Sequence, residues 1–115
     1  MATTFHLTPR EYWESQRLGP DYTPETFVQD GFIHCTDDES NVVAVGNRYY
    51  RNDSRVMVCL EIDIDAVTSE IRYEDAEQIY PHIYGPLALT AICGIRPVLR
   101  HADGNFMGLG DSIED

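Results

Sequence analysis

Four histidines, His6, His34, His82 and His101, are the residues of this chain best suited to moving protons near neutral pH. His6 stands two residues before Thr8, and His34 two residues before Thr36. Each pair sits where a predicted strand runs into a predicted helix. Both junctions therefore combine an imidazole, a hydroxyl and helix N–H groups, a combination that suits a phosphate or pyrophosphate. One such junction has an ordinary explanation, a threonine cap beside a packed histidine; the repetition suggests a site. His82 lies in Tyr80-Pro81-His82-Ile83-Tyr84-Gly85-Pro86, a stiff segment rich in flat rings. Those rings would stack on a nucleobase or nicotinamide, or simply cover core. His101 lies beside a turn and is expected to be solvated.

Three imidazoles can hold a catalytic zinc, but close histidine spacing is missing, so an organic ligand is preferred, no metal-ligating residue is assigned, and a histidine-based metal site stays as an alternative. Asp37, Asp38 and Glu39 suit a helix start without further function. Glu61, Asp63 and Asp65 alternate as the polar face of a strand would. The sequence has no glycine-rich phosphate loop, nucleophile elbow or CxxC pair.

The elements that must position these groups can be read from pattern. Residues 3–7 predict a strand. Thr8, Pro9 and Glu11 predict a capping box and helix start, with Trp13 and Leu18 facing the core and Gly19-Pro20 ending the helix. Residues 21–30 are mostly loop, with a turn of helix after Pro24. Residues 31–34 form a brief strand. Thr36 and Glu39 repeat the capping spacing and open a second helix to about Tyr50, whose apolar face is Val42, Val43, Val45, Tyr49 and Tyr50. Residues 51–54 turn, and residues 56–63 are apolar enough for a central strand. Residues 65–67 turn, 71–73 form a short strand, and 74–78 a polar loop. Residues 79–87 fit neither period. Residues 89–99 are a strand with Gly94 as a bulge, and Asp103-Gly104 turns into a last strand over 105–107. The sum is α+β: two N-terminal helices packed on a mainly antiparallel sheet.

The 115 residues suit one domain, assigned to 1–110, with 111–115 as a frayed acidic tail. Formal net charge is −12, which disfavours non-specific binding to nucleic acid and to anionic membranes but leaves room for a local anion site. Lysine is absent, so all eight cations are arginine. No leader pattern or bilayer-length apolar run occurs, and a cytoplasmic location is expected. Cys35, Cys59 and Cys93 give an odd count and no disulfide framework. Cys59 and Cys93 lie in apolar runs and are expected to be buried thiols; Cys35, between His34 and Thr36, is the one open to a chemical role.

The chain resembles the domain-of-unknown-function family numbered 952 over nearly its whole length. The resemblance rests on Phe5-His6-Leu7-Thr8, Trp13, Gly31-Phe32-Ile33-His34-Cys35-Thr36, Leu60-Glu61-Ile62-Asp63 and Pro81-His82-Ile83-Tyr84-Gly85-Pro86-Leu87. That family is similar in layout to ADP-ribosyltransferase-like folds, notably RNA 2′-phosphotransferases. The resemblance implies an NAD-like or ADP-ribose-like ligand. His6 would hold its ribose or nicotinamide end, His34 and Thr36 would form a second wall, and His82 and Tyr84 would close the pocket. His6, His34 and His82 are then the candidate catalytic residues, and Thr8, Gly31, Phe32, Thr36, Tyr84 and Gly85 the candidate NAD-binding ones. The glutamate of such transferases has no counterpart, and Arg10 and Arg48 are the cations near the junctions. Three expectations follow: an ADP-ribosyl, glycosyl or phosphate transferase; a module that binds a nucleotide-like metabolite without turnover; or an interaction protein with scattered histidines.

Overall fold

The computed structural model describes residues 2–113. In chain order the elements are β1 (Thr3–Pro9), α1 (Arg10–Gln16), β2 (Asp21–Tyr22), α2 (Phe27–Asp30), β3 (Ile33–His34), α3 (Glu39–Tyr49) and β4 (Met57–Asp63). There follow β5 (Glu70–Tyr73), β6 (Pro81–Tyr84), β7 (Leu87–Ala88), β8 (Ile92–Arg100) and β9 (Phe106–Leu109). Single 3₁₀ turns at Ile64–Ala66 and Leu89–Ala91 precede β5 and β8. The class is α+β, and the strand pairs are antiparallel.

β4 organises the molecule because it is apolar on both faces. It lies between β1 and β8, with β9 beyond β8. Alternate side chains of a strand point to opposite faces. Val58, Leu60 and Ile62 therefore enter one core with Trp13, Tyr22, Ile33 and Ile83. Met57 and Cys59 enter a second core under α3 with Leu7, Val42 and Phe106. Each fully buried aliphatic side chain contributes roughly 1.5–3 kcal/mol.

Two smaller sheets, β2-β7 and β3-β6-β5, complete the fold. The last is tied to β1 by reciprocal backbone bonds. Phe5 N–H donates to the Thr36 carbonyl at 2.9 Å, and Thr36 N–H to the Phe5 carbonyl at 2.8 Å.

That tie and the β1 ladder correct both predicted helix starts. Thr8 is paired with Val58 and Pro9 with Met57, so β1 runs through the expected cap and α1 begins at Arg10. Thr36 is held by Phe5, so α3 begins later, with Asp38 as N-cap at φ 67° and no side-chain cap. Glu39 closes no capping box and pairs with Arg96 at 2.5 Å. Ladder hydrogen bonds, closed on both sides, outweigh the preference of one threonine for a cap. α1 ends at Gln16, which leaves Leu18 90% exposed rather than in the core, and Tyr49 is also exposed.

The segment 79–87 becomes β6 and β7. Pro81 takes the first position of β6, where a missing N–H is tolerated. A Cβ at Gly85 would lie 2.5 Å from Ser69 Oγ, whose hydroxyl donates to the Pro86 carbonyl at 2.8 Å. The β4–β8 register shifts where Glu61 faces Gly94 and Ile62 faces Ile92, so Cys93 is the extra residue of a bulge. The bulge turns Cys93 outward, against the expectation of a buried thiol. Cys35 and Cys59 are buried. Burial pushes the Cys59 thiol up to about 12 and raises that of Cys35. One of the three thiols should therefore react with a disulfide reagent in the native state. Protection of Cys93, or equal labelling of all three, would contradict this placement.

Gly46 marks the closest approach of α3 to β9. A Cβ there would lie 2.1 Å from Phe106 Cδ2, and Phe106 is buried. Gly46→Ala gains up to about 1 kcal/mol of helix propensity and loses about 1–3 kcal/mol to overpacking. At so short a contact overpacking wins, and a net loss of about 1–2 kcal/mol is expected in urea unfolding. An unchanged or raised midpoint would refute the contact.

Among the described residues no helix is long and apolar enough to cross a membrane. The expected frayed tail lies partly outside the described residues; within them, Ile113 N–H donates to the Ile95 carbonyl at 2.6 Å.

Candidate functional site

The two sequence motifs meet across one strand pair. Ile33 faces Ile83, and His34 faces His82. Both isoleucines are fully buried. The alternation then turns Phe32, His34, His82 and Tyr84 to the opposite side. Their rings form a cluster. Phe32 stacks on His82 at 4.0 Å and 16°, and lies 4.6 Å from His34 and 5.2 Å from Tyr84. The two imidazole centroids are 5.3 Å apart.

A carboxylate fixes each of these imidazoles. His34 Nε2 lies 3.0 Å from Asp30 Oδ2, and His82 Nδ1 lies 3.2 Å from Glu74 Oε1. A carboxylate accepts, so in the neutral rings the protons sit on His34 Nε2 and His82 Nδ1. His34 Nδ1 and His82 Nε2 keep their lone pairs, and no described residue hydrogen-bonds either atom. Glu74 also accepts from the Tyr84 hydroxyl. The Tyr84 and His82 bonds hold its carboxyl below the usual range, and Glu74 in turn raises the Tyr84 phenol. Asp30 ends α2, and Gly31, at φ 78°, turns the chain back into β3. Glu74 follows β5, whose Tyr73 pairs with Pro81. Neither carboxylate was expected from the sequence. Asp30 had a signal in its i, i+4 spacing to His34, while Glu74 reaches His82 only through the β5–β6 register.

His6 is a different kind of histidine. It is 5% exposed, and both its nitrogens are engaged. Nδ1 lies 2.6 Å from the His34 carbonyl, which fixes it as N–H donor, so Nε2 accepts from the Tyr22 hydroxyl at 2.8 Å. Burial lowers its pKa to about 4. Burial also raises the Tyr22 phenol. His6 thus links β1, β2 and β3, one strand from each sheet. It holds the backbone of His34 from behind.

Two adjoining hollows open beside His34. The outer, about 530 Å³, is lined by His34, His82, Arg48, Tyr49, Asp75 and Tyr80 among others. The inner, about 210 Å³, runs under β1, with walls that include Phe5, Leu7, Thr8, Pro24 and Val42. Thr26, His34, Thr36, Val45 and Tyr50 line both and form the neck. Arg55 borders the inner hollow and is bound to Glu25 at 3.0 Å and Asp53 at 2.7 Å.

Of the predicted site residues, His34, His82, Thr8, Thr36 and His6 line the hollows, His6 and Thr8 the inner one alone. Phe32 and Tyr84 stand behind the imidazoles as buttresses, and Gly31 and Gly85 shape the chain. None of these four lines either hollow. The predicted phosphate cradle at the two threonines does not form, because both helices start beyond them. Arg48 lines the outer hollow, whereas Arg10 pairs with Glu14 at 3.6 Å. Among the described residues no three metal-binding side chains converge.

The family described as "Protein of unknown function (DUF952)" matches residues 7–95. Protein CC0527 from Caulobacter crescentus is similar in structure. Its crystal structure shares 18% identity with a TM-score of 0.77, covering 91% of this chain and 93% of that one. Its solution NMR structure shares 19% identity with a TM-score of 0.71, covering 90% of each chain. At this identity the likeness concerns the fold. No curated protein matches the chain.

Proposed function

The chain belongs to this family, whose description assigns no activity, and from the geometry of His34 and His82 we propose that it is an enzyme acting on a small nucleotide-like molecule. The supporting observation is the pair itself: two imidazoles 5.3 Å apart, each oriented by a carboxylate, each with one nitrogen unengaged, at one cleft. Neutral His34 takes a proton at Nδ1 from a ligand hydroxyl or a water. Protonated His82 gives one from Nε2 to the group that leaves. Such a pair suits cleavage or transfer at a glycosidic or phosphate ester bond, and general acid–base catalysis of this kind contributes about 10²–10⁴ in rate. Tyr49, Tyr80 and Tyr50 supply ring faces on which a base would stack. NAD and ADP-ribose are the first ligands to try. Asp30 and Asp75 oppose Arg48 in the outer hollow, so adenosine belongs beside them as the uncharged member.

A ligand of the folded state raises the melting temperature with concentration. Titrations with NAD, ADP-ribose, ADP and adenosine should give a saturable rise with at least one, lost in His34→Ala and His82→Ala. Binding without product over long incubation would favour a binding module. No rise with any of the four in folded protein would contradict the nucleotide-like reading.

A further inference from the structure

The inner hollow, about 210 Å³, is too small for the whole of such a ligand, and it presents a hydroxyl that no described residue hydrogen-bonds. Thr36 is 6% exposed, lines both hollows, and makes no side-chain hydrogen bond to any described residue. The walls next to it include the apolar side chains of Phe5, Leu7, Val42 and Val45, while Thr8, Glu25, Tyr50 and Arg55 supply part of the polar lining. Each charged side chain and each histidine at the hollow has its partner; the Tyr50 phenol, raised by burial, is a neutral wall group. Arg55 is bound by Glu25 and Asp53, His34 by Asp30, and His6 by Tyr22 and the His34 carbonyl. Burying an anion there would leave it uncompensated. An apolar cavity of about 150 Å³ already accommodates benzene, so about 210 Å³ suits a head group of similar size.

We propose that the inner hollow is a specificity pocket for a compact, uncharged head group bearing one hydrogen-bonding atom, which passes the neck and bonds the Thr36 hydroxyl. Resting on the acid–base reading above, this places the bond to be broken at the neck, where His34 lines both compartments. The substrate class is then an uncharged head joined to a larger body that stays in the outer hollow. A substrate entering by a phosphate or carboxylate end is excluded.

The test uses isosteric fragments and the methyl NMR spectrum of the whole chain. Isobutyramide at millimolar concentration should shift the methyls of Leu7, Val42 and Val45 saturably. Isobutyrate, the same shape with a negative charge, should leave them in place. Thr36→Val, which keeps the shape and removes the hydroxyl, should weaken amide binding about fivefold, as the loss of one hydrogen bond does. Equal binding of the carboxylate, an unchanged affinity in Thr36→Val, or no methyl shift at all would overturn the proposal. His82→Ala, which borders the outer hollow alone, should keep amide binding within twofold. The pocket then stands or falls apart from the acid–base chemistry, which turnover measures.

Discussion

His6→Ala is expected to lower the unfolding free energy by about 3–5 kcal/mol, from the cavity it leaves and from two buried polar groups stripped of their partner. Those groups are the His34 carbonyl and the Tyr22 hydroxyl, and Tyr22 is fully buried. Tyr22→Phe severs one of the two bonds and should cost about 1 kcal/mol. His6→Asn keeps a donor near the Nδ1 position and should fall between the two. The same residue sets an acid limit. Its folded pKa is lowered to about 4 from 6.5, so the unfolded chain binds its proton first. Stability from this group is complete above pH 6.5 and is lost as pH falls through that window to 4. The loss is about 3 kcal/mol by linkage. Urea unfolding of His6→Asn and the parent between pH 7 and 4.5 isolates the term, because the other titrating groups are common to both. Parallel curves would show that His6 is free to protonate in the fold.

The second large effect is on rate. With a substrate from the nucleotide-like panel, His34→Gln and His82→Gln should each lower kcat by about 10²–10⁴, the usual contribution of one acid or base. Melting temperatures should change little, because neither ring is deeply buried. The double variant should be little worse than either single. Asp30→Asn should act more weakly, since it frees the His34 ring to turn without removing the base. Full activity in either glutamine variant would remove that histidine from the chemistry.

The strand pattern was legible in the sequence because it follows from alternation. Residues 57–63 are apolar at every inward position, and the GFIH and PHIYGP motifs place isoleucine inward and histidine outward at the same register. From these one could expect His34 and His82 on a common face. The helix starts were misread because Thr8 and Thr36 satisfy a local rule and a longer-range one at once. Pairing with Val58 and Phe5, distant in sequence, decided between them. The role of His6 was hidden for a similar reason. Nothing near it in sequence announces Tyr22 or the His34 carbonyl, and without them a strand-end histidine looks like a ligand group. Glu74, Tyr50 and Arg55 reach the site only through tertiary register. The two-chambered cleft, a property of packing between β1, α3 and the loop at Pro24, has no sequence signature.

Long-range ¹H–¹⁵N correlation of the histidine rings, with and without a ligand that raises the melting temperature, tests the central claim most directly. Before ligand, the neutral rings should carry their protons on His6 Nδ1, His34 Nε2 and His82 Nδ1. On saturation, His34 Nδ1 and His82 Nε2 should both shift while the two His6 nitrogens stay in place. Movement at His6 with His34 and His82 unchanged would contradict the account, moving the chemistry to the buried histidine and leaving the outer pair as surface structure.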